Sequence, residues 1–86
     1  MAIIPSLRRN KMIHIFKDKK PTLEEAQSLV DGYVEMVRSP IHGDIQILVN
    51  EEGLLKGLDY NKEASETYGT GIVGDVVVLK GDARWD

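Results

Sequence analysis

Ile45-Gln46-Ile47-Leu48-Val49 runs directly into Asn50-Glu51-Glu52-Gly53-Leu54-Leu55-Lys56-Gly57-Leu58-Asp59-Tyr60-Asn61, and the reading of this stretch decides the fold. Ile45, Ile47 and Val49 alternate onto one face, the pattern of a strand. Asn-Glu-Glu-Gly then reverses the chain, with Gly53 expected to supply a positive φ. Leu54-Leu55-Lys56 reads as a short extended return and Gly57 permits a sharp exit. Asn61 is placed to cap a helix.

Upstream, Tyr33 to Arg38 also alternates, with Val34 and Met36 on one face and Tyr33, Glu35 and Val37 on the other. Ser39 to Asp44 is turn-like in composition, so the two flanking strands should pair antiparallel. Pro21-Thr22-Leu23-Glu24-Glu25 is a helix start: Thr22 caps, Glu25 completes a capping box, and the acidic pair suits the positive end of the dipole. Leu23, Ala26, Leu29 and Val30 share one face, and Gly32 is expected as the left-handed stop. Lys11 to Phe16 is β-branched and aromatic, with Met12, His14 and Phe16 opposite Ile13 and Ile15. Apolar content on both faces predicts an interior strand.

Downstream, Asn61 to Gly69 reads as a short helix ending at Gly69. Asp75 to Lys80 holds the unbroken row Val76-Val77-Val78-Leu79, which predicts a central strand covered on both faces. The order β-α-β-β-(β)-α-β gives an α+β domain: one mostly antiparallel, curved sheet of about four to five strands with two short helices packed on it. Residues 1–10 read as a flexible arm, 11–81 as the domain and 82–86 as a tail. Trp85 finds no obvious home, which leaves the tail either disordered or docking on a second subunit.

Eighty-six residues make one domain, near the lower size for a core without staples. The absence of cysteine rules out disulfides and thiolate zinc sites. Met1 to Leu7 is too short and broken for a signal core, and no apolar run approaches the roughly 20 residues of a membrane helix. A soluble protein of the cytoplasm is expected. The net charge of −3 is uneven, with basic residues gathered in 1–20 and acidic ones dominating 21–86. The lysines straddle an apolar strand and bring no aromatic platform, so nucleic acid is disfavoured as a partner.

No catalytic pattern emerges. Gly69-Thr70-Gly71-Ile72-Val73-Gly74 matches the dinucleotide fingerprint but follows a helix and leads into a strand, the inverse of what phosphate binding needs. His14 and His42 lack metal-ligand spacing, so no metal or other cofactor is expected. His14 reads as a packed strand residue and His42 as an exposed turn residue with some scope for contact. Glu51 and Glu52 are adjacent in a turn and diverge, and no serine has a nucleophile's surroundings.

Gly32-Tyr33-Val34-Glu35-Met36-Val37, the Asn50 to Leu58 segment with Asn61 and Ala64, and Gly74-Asp75-Val76-Val77-Val78 together resemble a family of small phage and bacterial domains of unknown function. The resemblance covers roughly residues 21–80 and leaves the leading arm and the Arg-Trp tail outside. It implies a phage-borne accessory protein, with no chemistry to carry over. Turn, exit glycine and helix cap explain much of the pattern, but Glu52 and Lys56 less so. They are the expected contact residues, with Asn50, Tyr60 and Asn61 at one rim and Arg38 and His42 as further candidates.

The expected function is a non-catalytic accessory protein that engages a host or defence protein in the infected cell. The alternative is a homo-oligomer that sequesters a small nucleotide-like signal, its phosphates meeting Lys56, Arg38 or the basic arm. A compact enzyme with sites shared between subunits ranks third.

Overall fold

The computed structural model describes residues 12–85; the arm read at residues 1–10 lies outside them. The elements are β1 (Ile13–Phe16), α1 (Leu23–Val30), β2 (Val34–Val37), β3 (Gln46–Asn50), α2 (Lys62–Tyr68) and β4 (Val76–Leu79), closed by a 3-10 turn at Gly81–Ala83. The strands form one sheet in the order β1-β4-β3-β2. β1 runs parallel to β4, and the other neighbours are antiparallel. The α+β architecture is therefore the one the sequence implies.

Alternation along the strands sorts two cores onto two faces. Leu48, Val77 and Leu79 meet Ala26 and Val30 of α1, with Phe16, Val34 and Trp85 at the margin. Ile45, Ile47, Val76 and Val78 meet Ala64 and Tyr68 of α2 and Ile72 of the loop after it, with Ile13, Val37 and Val49 at the margin. β4 is buried along its whole length and lies inside the sheet, as its unbroken apolar row requires.

Both helices start as their caps dictate. The Thr22–Glu25 capping box is complete, with bonds of 2.8 and 3.0 Å. Asn61 Oδ1 accepts from the Ala64 N–H at 3.1 Å, and Gly69 ends α2 at φ 72°. The end of α1 departs from expectation. Asp31, not Gly32, takes the left-handed conformation at φ 62°. A short polar side chain tolerates that region, whereas Gly32 answers to a close approach: a Cβ there would lie 2.7 Å from Asn50 Nδ2.

Three further expectations are corrected. β1 is an edge strand, not an interior one, since β4 takes β3 and β1 as its two neighbours and nothing described lies beyond β1. Leu54 to Lys56 is not extended. The Lys56 N–H donates to the Glu52 carbonyl at 2.9 Å and that of Gly57 to Leu54 at 3.1 Å, so the segment closes on itself as a helical turn. Gly53 is not among the positive-φ glycines; its Cβ would instead strike Val73 Cγ2 at 2.8 Å.

Trp85, unplaced by sequence, has a site on its own chain. Its indole Nε1–H donates to the Pro21 carbonyl at 3.1 Å, and its main-chain N–H and carbonyl both bond the Gln46 amide at 2.6 Å. Among the described residues no helix is long and apolar enough to cross a membrane.

Candidate functional site

The segment Asn50 to Asn61 is a hydrogen-bonded crest with buried ends and an exposed middle. Asn50, 5% exposed, donates both amide hydrogens to the end of α1, to Val30 O at 2.9 Å and Asp31 O at 3.0 Å. Its Oδ1 accepts from the Glu52 N–H at 2.8 Å, which starts the turn. At the far end Asn61, 1% exposed, caps α2 and donates from Nδ2 to the Gly74 carbonyl at 2.9 Å. Leu58 N–H donates to Gly53 O at 3.0 Å, while Gly74 N–H reaches Asp59 O and Asn61 N–H reaches Ile72 O, each at 2.8 Å. The crest is thus pinned to α1, to α2 and to the loop before β4.

What it holds out is apolar. Leu54 and Leu55 are 83% and 89% exposed, and Tyr60 is 57% exposed. Between this crest and the β2–β3 face lies a groove with a cavity volume of ≈ 630 Å³. Val37, Val49, Ile72 and Val73 form its floor, and Leu54, Leu55 and Tyr60 stand along it. Glu35 and Glu51 are its charged lining residues. α2, Lys62–Tyr68, contributes no lining residue to the groove.

The residues singled out from sequence fall into three places. Tyr60 and Asn50 line the groove, although every amide hydrogen and the oxygen of Asn50 already serve the fold. Asn61 lies inside the domain, with its amide likewise used. Glu52 and Lys56 are on the exposed crest, where Lys56 Nζ lies 3.5 Å from the Asp31 carbonyl at the negative end of α1. Arg38 and His42 come after β2, at the opposite end of the β2–β3 ladder from Asn50. There the Ser39 hydroxyl donates to the Tyr68 carbonyl at 2.6 Å and accepts from the His42 N–H at 3.0 Å, while the His42 ring meets Tyr68 edge-on at 6.0 Å. Burial, reinforced by Glu63, pushes the Tyr68 phenol above its usual 10.0.

Sequence reasoning misses the apolar crest. It places Leu54 and Leu55 on a return strand, where one of them would be buried. Their signal is present all the same: two adjacent leucines between Gly53 and Gly57 fit neither a strand face nor a helix face of useful length. Glu35, Val37 and Val49 read from sequence only as strand residues.

His14 sits apart from this site. Its Nε2 is buried without a hydrogen bond, 3.9 Å from Asp75 Oδ2, while Asp75 Oδ1 accepts from the Met12 N–H at 2.9 Å. Among the described residues no group of three or more histidine, aspartate and glutamate side chains is placed to hold a metal ion. The Gly69 to Gly74 run joins α2 to β4 and opens no helix, so it lacks the helix N-terminus on which the dinucleotide fingerprint depends.

No curated protein and no solved structure matches the chain. One family model does, over residues 5–86, so residues 5–10 of the leading stretch and the Arg84-Trp85 tail fall within the matched region, beyond the 21–80 span of the resemblance. The chain belongs to the family of that model, the domain of unknown function DUF3846.

Proposed function

We propose that the chain is a non-catalytic accessory binding protein of phage type, which engages a host or defence protein in the cytoplasm of the infected cell through the groove beside Leu54 and Leu55. One observation carries the binding part of this reading: two neighbouring leucines stand in solvent on a turn bonded at both ends. Burying a leucine stabilises a fold by about 1.5–3 kcal/mol. A small domain that rigidly withholds two of them, next to an apolar groove and a tyrosine, has the composition of a protein-binding surface. The phage and host assignment rests on the family resemblance alone.

The sequestering alternative draws less support. The charged side chains lining the groove are carboxylates, which repel phosphates, and Lys56 and Arg38 lie at different places on the domain.

A photo-crosslinking residue at Leu55, introduced into chain expressed in host cells, tests the reading. A discrete crosslinked protein, lost when Leu54→Asp is added and retained with Ile41→Asp on the far loop, is the expected result. Native mass spectrometry of the same preparation guards the alternative. A multimer that releases a small phosphorylated molecule on denaturation, without any crosslinked protein, would overturn the proposal.

A further inference from the structure

We infer that the groove and the open edge of β2 form one strand-addition site, which takes an extended segment of a partner protein with apolar residues and a basic residue at alternate positions. The inference rests on the protein-binding reading of the groove and adds the conformation and charge of what occupies it.

The first observation is the edge. The Glu51 N–H donates to the Tyr33 carbonyl at 2.8 Å, so the main-chain groups of Tyr33 face β3. An antiparallel ladder alternates. Glu35 opposite Val49 and Val37 opposite Ile47 therefore also face β3, and Val34 and Met36 turn their N–H and carbonyl groups to the open side. Among the described residues no strand lies beyond β2, and the Met36 side chain is exposed. The β2–β3 register runs from Val34 to Val37 without a bulge or a proline. Edges that stay unpaired are usually blunted by such devices or by lysines. β1 runs into Lys17-Asp18-Lys19-Lys20 and β2 into Arg38-Ser39-Pro40, but within Val34–Val37 the edge carries no lysine or proline, and its one charge, Glu35, lines the groove.

The second observation is the chemistry beside that edge. A strand added to β2 places alternate side chains on the face of Glu35 and Val37, with directly opposed Cβ atoms about 4.5–5.5 Å apart. That face is the groove. Its apolar lining accepts leucine-like side chains, and Glu35 and Glu51 match a lysine or arginine and repel an acid. A second copy is less well matched in charge: of the two-fold registers that pair the β2 edges, the one centred on Glu35 opposes the two carboxylates and those centred on Val34 or Met36 set Glu35 against Tyr33 or Val37, so none gives it a basic partner. The chain's own residues 1–11 are outside the described region, but Ile3, Ile4, Leu7, Arg8 and Arg9 have the matching chemistry, so the test includes them as a competitor.

The experiment is fluorescence anisotropy on the full chain with a labelled peptide, Thr-Lys-Thr-Leu-Thr-Leu-Thr, which presents lysine and leucines on one face of a strand. Glutamate in place of its lysine should weaken binding about ten-fold, and Glu35→Lys should reverse that preference. N-methylating either the threonine nitrogens or the lysine and leucine nitrogens blocks one edge of the peptide at a time. Strand addition predicts that one set abolishes binding and the other is tolerated; loss with the threonine set marks an antiparallel partner. Equal tolerance of both sets, with binding still lost in the Leu54→Ser/Leu55→Ser chain, overturns strand addition and leaves the groove reading in place. Peptide binding indifferent to Leu54, Leu55 and Glu35 sinks both. An affinity that rises about ten-fold or more on deletion of residues 1–11 gives the edge to the chain's own arm and overturns the partner assignment. A peptide-free dimer that dissociates in Met36→Pro gives it to a second copy, with the same consequence.

Discussion

The two faces of the sheet are built from the same strands and finished differently. On one, α1 lies along β2, β3 and β4, and Trp85 packs at the margin under two bonds to Gln46 and one to Pro21. That face is closed except at Met36 on its β2 edge. On the other, α2 and Ile72 cover the middle, while Val37 and Val49 are left half-buried at the floor of the groove. The difference teaches where the domain places its stability and where it leaves room for a partner. It also makes β3 a test strip, because adjacent residues on it belong to opposite faces.

The largest effect should come from that strip. Leu48 is fully buried against α1, and Leu48→Ala should destabilise the domain by about 2–5 kcal/mol through lost transfer energy and a cavity. Val49→Ala, one residue along, removes less side chain from a half-open site and should cost about 1 kcal/mol. Chemical denaturation of both variants checks the pair. Equal losses would mean that the groove face is as closed as the other, and the comparison would fail.

Next in size is Asn61→Ala. It removes the cap of α2 and leaves the Gly74 carbonyl without its donor, for a combined cost of about 2–4 kcal/mol. Asn61→Ser separates the two roles, since a neutral hydroxyl can keep the cap acceptor and the Nδ2 donor is lost. The thermal midpoint of Asn61→Ser should fall between those of the wild type and Asn61→Ala. A midpoint equal to that of Asn61→Ala would mean that the bond to Gly74, not the cap, accounts for the loss.

Much of the fold is legible in the sequence because short-range chemistry decides it. Thr22 and Glu25 can reach only each other's backbone, Asn61 can cap only the helix on its C-terminal side, and Val76 to Leu79 can be satisfied only inside a sheet. The groove is illegible because its walls lie far apart in the chain and meet only through tertiary bonds such as Gly74 to Asp59. β1 misleads for a related reason: a strand with apolar residues on both faces looks interior, yet whether it has one neighbour or two depends on how many other strands exist. Trp85 is silent because its partners, Pro21 and Gln46, are far away in sequence. For Asn50 and Asn61 the sequence shows two polar residues flanking a turn, and only the structure shows that the fold consumes their amides.

A smaller effect should appear only at high pH. Tyr68 holds its proton above the ordinary value because burial disfavours the phenolate and Glu63 adds repulsion. The unfolded chain therefore loses this proton first. Stability is unaffected below pH about 10 and declines as pH rises from there towards the folded value. Tyr68→Phe should flatten that part of the profile, measured as the denaturation midpoint between neutral and alkaline pH. An unchanged slope would show that another group sets the alkaline limit.

The smallest effect on stability is the one the proposed function most depends on. Leu54→Ser/Leu55→Ser removes two side chains that touch mostly water, so it should shift stability by less than about 0.5 kcal/mol, the usual range for exposed positions away from caps and cores. The turn itself should survive, because its bonds from Lys56, Gly57 and Leu58 run through main-chain atoms. Binding should nevertheless fall about ten-fold or more, since each leucine contributes apolar area only when a partner covers it. The two readings pull apart cleanly in one variant. If stability drops by several kcal/mol, the leucines are part of the domain's own packing in solution and the open face is not open. If stability holds and the labelled peptide still binds, the crest is a bystander. Stability held and binding lost is what an exposed crest, kept rigid for a partner, requires.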